Sequence, residues 1–281
     1  MSEGYRTIEV APIAGALGAE VHGVDLASDL PDATVAEIRR AWLEHLVVFF
    51  RDQAALDSDA FMAVARRIGE PVEYPFVKGI EGYPEIITVA KLPHEAVNFG
   101  GIWHSDTTYL ERPPMATMLI AREVPPSGGD TMWANMYAAY ETLSPGLRRV
   151  VDGLRAVNSS AMADVSKTRE DRIKDSGYED TQEYEAEHPV VRTHPETGRR
   201  SLFVNPAHTA RFTDMTEDES RPLLQYLFQH AIRPENTCRF RWEAGSLALW
   251  DNRCTWHNPI NDYHGHTRIM NRITLAGDVP R

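Results

Sequence analysis

The tripeptide His104-Ser105-Asp106 has residue types and a spacing that can bind a metal ion. On an extended strand, residues i and i+2 point to the same face about 6.6 Å apart. The imidazole and the carboxylate can therefore reach one ion at the end of a strand. A His-x-Asp pair also arises by chance in a chain with 11 His and 41 acidic residues, where it would be a solvated or capped pair. This spacing alone is weak evidence for a metal.

A third candidate ligand, His257, lies far along the chain in the block Trp250-Asp-Asn-Arg-Cys-Thr-Trp-His257. Two imidazoles and one carboxylate on one face suit divalent iron and leave coordination positions free for other molecules. Structural zinc would favour a closed tetrahedral set with more sulfur. Cys254 is the alternative ligand, although a free cysteine more often behaves as a small buried hydrophobe.

Two arginines follow on the segment 268–275, where Arg268 and Arg272 lie on the same face of an alternating strand. This face is either solvated or directed into a cavity, where guanidinium groups bind carboxylates in bidentate geometry. Their Cα atoms are about 13 Å apart on an extended strand, which favours two anionic groups over one. Thr131 follows the Gly128-Gly129 turn and could place its hydroxyl beside the carboxylate that Arg268 binds.

The elements that position these residues are mostly strands. Helices are predicted over 32–45, 59–68, 135–143 with a continuation over 147–154, and 216–231. Thr34 with Glu37, and Thr216 with Glu219, have the spacing of capping boxes. Strands are predicted over 47–50, 86–89, 115–121, 237–242, 247–250 and 268–275. Strands that enclose helices predict a mainly β fold with inserted α-helices, a β-sandwich or jelly roll.

Composition indicates a folded globular chain of 281 residues, which we interpret as a single domain over 1–281. The net charge of −12 repels phosphate groups, so neither nucleic acid nor an anionic membrane surface is an expected partner. Two cysteines exclude a disulfide framework and favour a reduced, cytoplasmic setting, and no apolar run reaches the ~18 residues that span a bilayer. The charged segment 159–187 lacks periodicity, which predicts either disorder or a mobile lid.

These motifs occur together and in order, with Gly128-Gly129-Asp130-Thr131 and an early segment, Leu17-Gly-Ala-Glu-Val-His-Gly-Val-Asp-Leu26. Over about residues 8–278 the chain resembles the taurine dioxygenase/2,4-dichlorophenoxyacetate dioxygenase family of iron(II), 2-oxoglutarate-dependent enzymes. Within that family, residues 80–86 and 192–198 look most like the aryloxyalkanoate (phenoxypropionate) dioxygenases.

The resemblance implies a double-stranded β-helix, that is, a jelly roll, with Fe(II) held by His104, Asp106 and His257. Arg268 and Thr131 would bind the distal carboxylate of 2-oxoglutarate, and Arg272 would lie near its iron-bound end and near the anionic group of the substrate. The implied substrate pocket includes Tyr74, Trp103, Thr107 and the lid. With O2 as second co-substrate, the implied reaction hydroxylates an aliphatic C–H of a small anionic molecule. Where the hydroxylated carbon also carries an ether oxygen or a sulfonate, the product then breaks its C–O or C–S bond. Family members form dimers or tetramers, so a homo-oligomer is expected.

Two departures from the family pattern bear on the substrate. Taurine-cleaving members have an asparagine four residues before the first metal histidine, where this chain has Gly100, and Tyr74 replaces an expected histidine. Both argue against taurine and favour an aryloxyalkanoate, an alkyl sulfate or another sulfonate. The alternatives are a cupin-like metal isomerase and a non-catalytic jelly-roll binding protein, which the intact arginines, threonine and triad disfavour. We expect the remaining histidines to be surface or loop residues outside the chemistry, among them His188, His194, His208, His264 and His266.

Overall fold

The computed structural model describes residues 4–162 and 183–281, which contain sixteen strands and five α-helices. The strands are β1 (Glu9–Pro12), β2 (Ala19–His22), β3 (Val47–Phe50), β4 (Pro71–Val72), β5 (Ile86–Lys91), β6 (Ala116–Glu123), β7 (Thr131–Asn135), β8 (Arg155–Ser159), β9 (Glu185–Pro189), β10 (Val191–Thr193), β11 (Arg200–Leu202), β12 (Thr209–Phe212), β13 (Thr237–Phe240), β14 (Leu247–Asp251), β15 (Thr255–Pro259) and β16 (Arg268–Leu275). The helices are α1 (Asp32–His45), α2 (Ser58–Ile68), α3 (Met136–Glu141), α4 (Pro145–Val151) and α5 (Glu217–Ala231).

Two sheets form the centre of the fold. The larger has the order β1-β2-β3-β14-β6-β16-β4, with β5 also paired to β16, and the smaller has the order β13-β7-β15. The pairs within both sheets are antiparallel except β2–β3. The sheets meet through a core in which Phe49 stacks on Phe240 with ring centroids 4.0 Å apart. This is the sandwich of a jelly roll, as the sequence predicts.

The outer face of the large sheet packs against α1 and α2. Side chains alternate along each central strand, so that in β3 Phe49 faces the small sheet while Val48 and Phe50 face the helices. Trp42 of α1 and Phe61 of α2 fill this second core. Because both faces of β3 are covered, its four residues are all buried and apolar.

A third core lies beside the small sheet. Helices α3 and α5 pack there against strands β8, β10, β11 and β12, around residues such as Leu227, Phe212 and Trp256. This layer brings the turn before β12, which carries His208, next to the predicted metal ligand His104. The predicted helices and strands are confirmed to within a few residues at their ends.

One of the two predicted capping boxes is wrong. Thr216 and Glu219 do form a reciprocal box at the start of α5. At α1, however, the helix begins at Asp32 after Pro31, and the Glu37 carboxylate instead accepts hydrogen bonds from the backbone N–H groups of Arg6 and Thr7. The N-terminal segment binds the Glu37 carboxylate in place of the helix end, because two of its backbone N–H groups need an acceptor.

The predicted lid at 159–187 has its ends in β8 and β9, and residues 163–182 lie outside the described residues. The lid therefore stays a prediction. Across the described ranges, no helix combines the length and the apolar character needed to cross a bilayer.

Candidate active site

The two candidate metal histidines face each other across an antiparallel bridge. The N–H of His104 donates to the carbonyl of His257 at 3.0 Å, and the N–H of His257 donates back to the carbonyl of His104 at 2.8 Å. Directly opposed residues of such a pair place their side chains on the same face. The imidazole centroids are consequently only 4.1 Å apart, although the residues are distant in the chain.

Asp106 completes the cluster. Its Oδ1 lies 3.7 Å from His104 Nε2 and 3.9 Å from His257 Nε2, and each of the three side chains has a donor atom within 4.8 Å of the others. The Nδ1 of His104 lies 2.7 Å from the Ile102 carbonyl, so it carries the proton and leaves the Nε2 lone pair facing Asp106. Two neutral nitrogens and one carboxylate oxygen on a common centre are the donor set of non-haem Fe(II) oxygenases.

Burial and charge keep these donors in the protonation states that a metal needs. Burial holds the pKa values of His104 and His257 below the usual range, so both imidazoles are neutral. Burial alone would raise the pKa of Asp106, but the Arg272 guanidinium and the hydrogen bond from Thr117 hold it below its usual range. The cluster therefore offers one negative charge and two free lone pairs at neutral pH.

A hydrogen-bonded chain fixes the orientation of the Asp106 carboxylate. Thr117 on β6 donates from its hydroxyl to Oδ2 of Asp106 at 2.7 Å and accepts from Nδ2 of Asn252 at 2.9 Å. The Asn252 amide oxygen accepts in turn from the Trp250 indole at 3.0 Å. Because Thr117 occupies Oδ2, Oδ1 is left to face the two histidines and Arg272. Such outer partners orient the ligands of a metal and tune its binding.

Arg272 and Arg268 project from the same face of β16 into different surroundings. Arg272 Nη2 lies 2.9 Å from Asp106 Oδ1, where the two groups form an ion pair without the alignment of a hydrogen bond. The guanidinium carbon of Arg272 lies 5.1 Å from the centroid of the Tyr74 ring. Arg268 lies further from the triad, where its Nε donates to the Gly129 carbonyl at 3.1 Å. The Arg268 Nη2 is buried without a hydrogen-bond partner among the residues described.

Thr131 lies in the same small pocket as Arg268, His257 and Arg272. Its hydroxyl accepts from the Trp242 indole at 2.9 Å, which leaves the hydroxyl hydrogen available for an anionic ligand. The Gly128-Gly129 turn before Thr131 has positive φ angles of 76° and 70°. A Cβ at Gly129 would lie 3.2 Å from Arg268 Cδ, so glycine here allows the arginine to pack closely.

A larger cavity of about 230 Å³ adjoins the triad. It contains His104, Asp106 and the predicted substrate residues Tyr74, Thr107 and Arg272. The other described lining residues are mainly apolar or aromatic: Val97, Asn98, Phe99, Gly100, Gly101, Ile102, Tyr109, Met162, Ala207 and His208. Trp103 is not placed with them, because its ring packs against the core around Trp256.

The expectation that the remaining histidines are surface or loop residues is wrong for His188, which is buried within β9. His194 and His208 do lie in loops but are buried, whereas His264 and His266 are exposed. His208 lines the large cavity, and its Nδ1 lies 3.0 Å from the Thr108 hydroxyl. Burial lowers the pKa of His208 to about 3, so the ring is a neutral hydrogen-bonding group.

His194 belongs to a second buried cluster with Asp251 and Cys254. The Asp251 carboxylate is already saturated, because Arg253 donates to both of its oxygens and His194 lies 3.0 Å from Oδ2. A guanidinium in this position excludes a cation, so the cluster supports the fold. The sequence does not predict a place in the site for Thr117, Asn252 or His208. Asn252 alone carries a signal, because it lies within the block Trp250–His257 that contains the third metal ligand.

The sequence of the chain matches a known protein family and has relatives with named activities. The model of the family described as "Taurine catabolism dioxygenase TauD, TfdA family" matches residues 9–274. The chain belongs to the TauD/TfdA family. An alpha-ketoglutarate-dependent sulfate ester dioxygenase of Pseudomonas putida is 40% identical over 97% of this chain and 91% of that protein. An (S)-phenoxypropionate/alpha-ketoglutarate-dioxygenase of Sphingobium herbicidovorans is 32% identical over 96% and 95%.

Solved structures agree with this membership. A taurine dioxygenase from Burkholderia xenovorans superposes with a TM-score of 0.82 at 40% identity, covering 98% of this chain and 93% of that one. The protein is therefore a 2-oxoglutarate-dependent dioxygenase of this family with a jelly-roll fold, and it uses Fe(II), 2-oxoglutarate and O2. The described donor set and the unpaired Arg268 Nη2 fit a metal and a dicarboxylate.

Proposed function

We propose that this dioxygenase hydroxylates the carbon beside the ester oxygen of an alkyl sulfate. The observation that carries the proposal is the 230 Å³ cavity, which joins one buried guanidinium at the metal end to apolar walls. Val97, Ile102 and Met162 line it and are 52%, 50% and 44% exposed, so its mouth is apolar too. A sulfate head group beside Arg272 and an alkyl chain toward the mouth match this polarity. The 40% identical relative is named for sulfate esters.

For the residues, we propose that His104, Asp106 and His257 hold Fe(II), while Arg268 and Thr131 bind the distal carboxylate of 2-oxoglutarate. Iron, when bound, supplies the activation of O2 that couples C–H hydroxylation to the conversion of 2-oxoglutarate to succinate and CO2. The hydroxylated ester, R–CH(OH)–O–SO3⁻, then breaks its C–O bond to give an aldehyde and hydrogen sulfate. The residues that line the cavity determine which C–H bond of the substrate faces the metal.

Arg272 orients the substrate in this proposal. Its ion pair with Asp106 fixes the guanidinium beside the metal position, and its Nε has no hydrogen-bond partner among the described residues. Tyr74 covers the face of the guanidinium, which keeps water away from it. A sulfate oxygen bound to Arg272 therefore places the adjoining carbon near the triad. His208, as a neutral imidazole on the cavity wall, adds a second polar contact.

Gly100 argues against taurine as the substrate. Its φ is +69°, and a Cβ at this position would lie 2.9 Å from His104 Cε1. The position where taurine-cleaving members have asparagine thus has no room for a side chain. The amine of taurine would instead face apolar residues such as Phe99 and Ile102.

An aryloxyalkanoate is the second candidate substrate. Tyr74 and Phe99 line the cavity with ring centroids 6.3 Å apart in edge-to-face geometry, and Tyr109 adds a third ring. Such rings pack well against an aryl group. The 32% identical relative is named for phenoxypropionate.

The expected homo-oligomeric state and cytoplasmic location stay predictions.

A substrate panel tests the proposal. Hexyl sulfate, octyl sulfate, 2-phenoxypropionate and taurine are each incubated with Fe(II), 2-oxoglutarate and O2, and succinate, sulfate and aldehyde are measured. We expect the alkyl sulfates to give equal amounts of the three products, with octyl sulfate turned over at least as well as hexyl sulfate. Turnover of taurine in preference to both esters would contradict the proposal. Asp106→Ala serves as the inactive control.

A further inference from the structure

Lys91 is a buried cation that the proposed chemistry does not yet use. It ends β5, where its Cα is directly paired with that of Arg268 on β16. Opposed residues of an antiparallel pair project to the same face. The next residue of β5 on this face, Val89, lines the pocket that contains Arg268 and Thr131. The Lys91 side chain therefore starts on the same face of the sheet as Val89 and Arg268, which both line that pocket.

The ammonium group of Lys91 is buried, and no carboxylate of the described residues forms a hydrogen bond with it. The residue is 3% exposed, and Nζ has no hydrogen-bond acceptor within the described ranges. Its contact is the ring of Tyr263, whose centroid lies 4.3 Å from Nζ. A buried ammonium with three free donors is unfavourable unless a negative group joins it, and one cation–π contact offsets only part of that cost.

Arg268 shares this surrounding. Gly129 packs against both Arg268 and Tyr263, since a Cβ there would lie 3.2 Å from Arg268 Cδ and 3.3 Å from Tyr263 Cδ1. Arg268 also keeps one buried Nη2 without a partner in the part of the chain described. Two strand-paired cations with free donors thus lie beside Tyr263 and Gly129, next to the pocket that Arg268 lines. That arrangement suits a carboxylate with two oxygens to satisfy.

We propose that Lys91 is a second cationic group for the distal carboxylate of 2-oxoglutarate and binds it together with Arg268. The inference rests on the proposed function, which places that carboxylate at Arg268. Tyr263 is the positioning residue, because its ring holds the Lys91 ammonium in a buried position before the ligand arrives. In the complex the carboxylate supplies the acceptor that the Lys91 ammonium lacks.

The test compares two ligands on the metal-loaded protein without O2. 2-Oxovalerate carries the same 2-oxo acid group as 2-oxoglutarate but has a methyl in place of the distal carboxylate. Affinities of both are measured by calorimetry with Mn(II)-loaded wild type, Lys91→Met, Lys91→Arg and Arg268→Met. We expect Lys91→Met to weaken 2-oxoglutarate by about tenfold to a hundredfold and to leave 2-oxovalerate unchanged. Lys91→Arg should retain most of the preference for 2-oxoglutarate.

The outcomes distinguish a role of Lys91 in ligand binding from the assignment of the distal carboxylate to Arg268. Equal weakening of both ligands by Lys91→Met would show a structural role only, and no weakening would show no role; either overturns the inference. If Arg268→Met also keeps the preference for 2-oxoglutarate, the carboxylate site assigned under the proposed function is wrong. Thermal melting is a second readout: Lys91→Met should shrink the stabilisation that 2-oxoglutarate gives without lowering the melting temperature of the ligand-free protein.

Discussion

Thr117→Val removes the hydroxyl that orients Asp106 while keeping the size of a side chain that is 0% exposed. The structure gives this hydroxyl two contacts, one to Asp106 Oδ2 at 2.7 Å and one from Asn252 Nδ2 at 2.9 Å. Valine can make neither contact. The carboxylate then loses its fixed orientation toward His104 and His257, and the Asn252 amide loses an acceptor.

The expected magnitude follows from these two contacts. A hydrogen bond to a charged group contributes about 1.5–3 kcal/mol, which corresponds to a ~10- to 100-fold loss of metal affinity. That range agrees with the ~10- to 100-fold typical when an outer partner of a metal ligand is removed. The unsatisfied Asn252 amide should also lower the free energy of unfolding by about 1–3 kcal/mol.

Calorimetric titration with Mn(II) measures the affinity, and urea denaturation of the metal-free protein measures the stability. Thr117→Ser is the matched control, because it keeps the hydroxyl and loses only a methyl group, and it should bind Mn(II) within a few-fold of wild type. Wild-type Mn(II) affinity in Thr117→Val would refute the reasoning, since the carboxylate would then be positioned without Thr117.

Three further predictions concern the triad, the cavity wall and the fold. Asp106→Ala should abolish Mn(II) binding and turnover, because the one anionic donor is lost; succinate release at the wild-type rate would contradict this. Gly100→Ala should cost about 1–2 kcal/mol of unfolding free energy for its left-handed φ and reduce activity through contact with His104, so an unchanged melting curve and rate would be contrary evidence. Arg253→Met should lower the free energy of unfolding by about 3–5 kcal/mol, because it leaves the buried Asp251 carboxylate without its cation. The control Arg221→Met removes an exposed ion pair with Asp218 and should lose about 1 kcal/mol or less, and equal losses in the two variants would refute the assignment.

Much of the fold could be predicted because its core strands alternate cleanly. Residues 268–275 show two faces in the sequence, and the structure buries Arg268 and Arg272 on the face directed to the pockets. Residues 47–50 are apolar throughout, which predicts a strand covered on both faces. The start of α5 could be predicted from the Thr216–Glu219 capping box, which is a local signal.

What could not be predicted depends on contacts between distant segments. Glu37 has the spacing of a capping residue, but its partners come from the N-terminal segment, which no local pattern reveals. Thr117 reads as an ordinary strand residue, and only the register of β6 against β14 brings it to Asn252 and Asp106. His194 and His208 lie near turns, where histidines are usually exposed. They are buried because each packs against side chains from distant segments, His194 against Asp251 and His208 against Tyr109.

We propose that His104, Asp106 and His257 hold one Fe(II) that also binds 2-oxoglutarate. Visible absorption after anaerobic addition of Fe(II) and then 2-oxoglutarate tests this metal site. We expect a metal-to-ligand charge-transfer band that saturates at one iron per chain and is lost when any one of the three side chains is replaced by alanine. A band of full intensity in those variants, or no band in the wild-type protein, would contradict it.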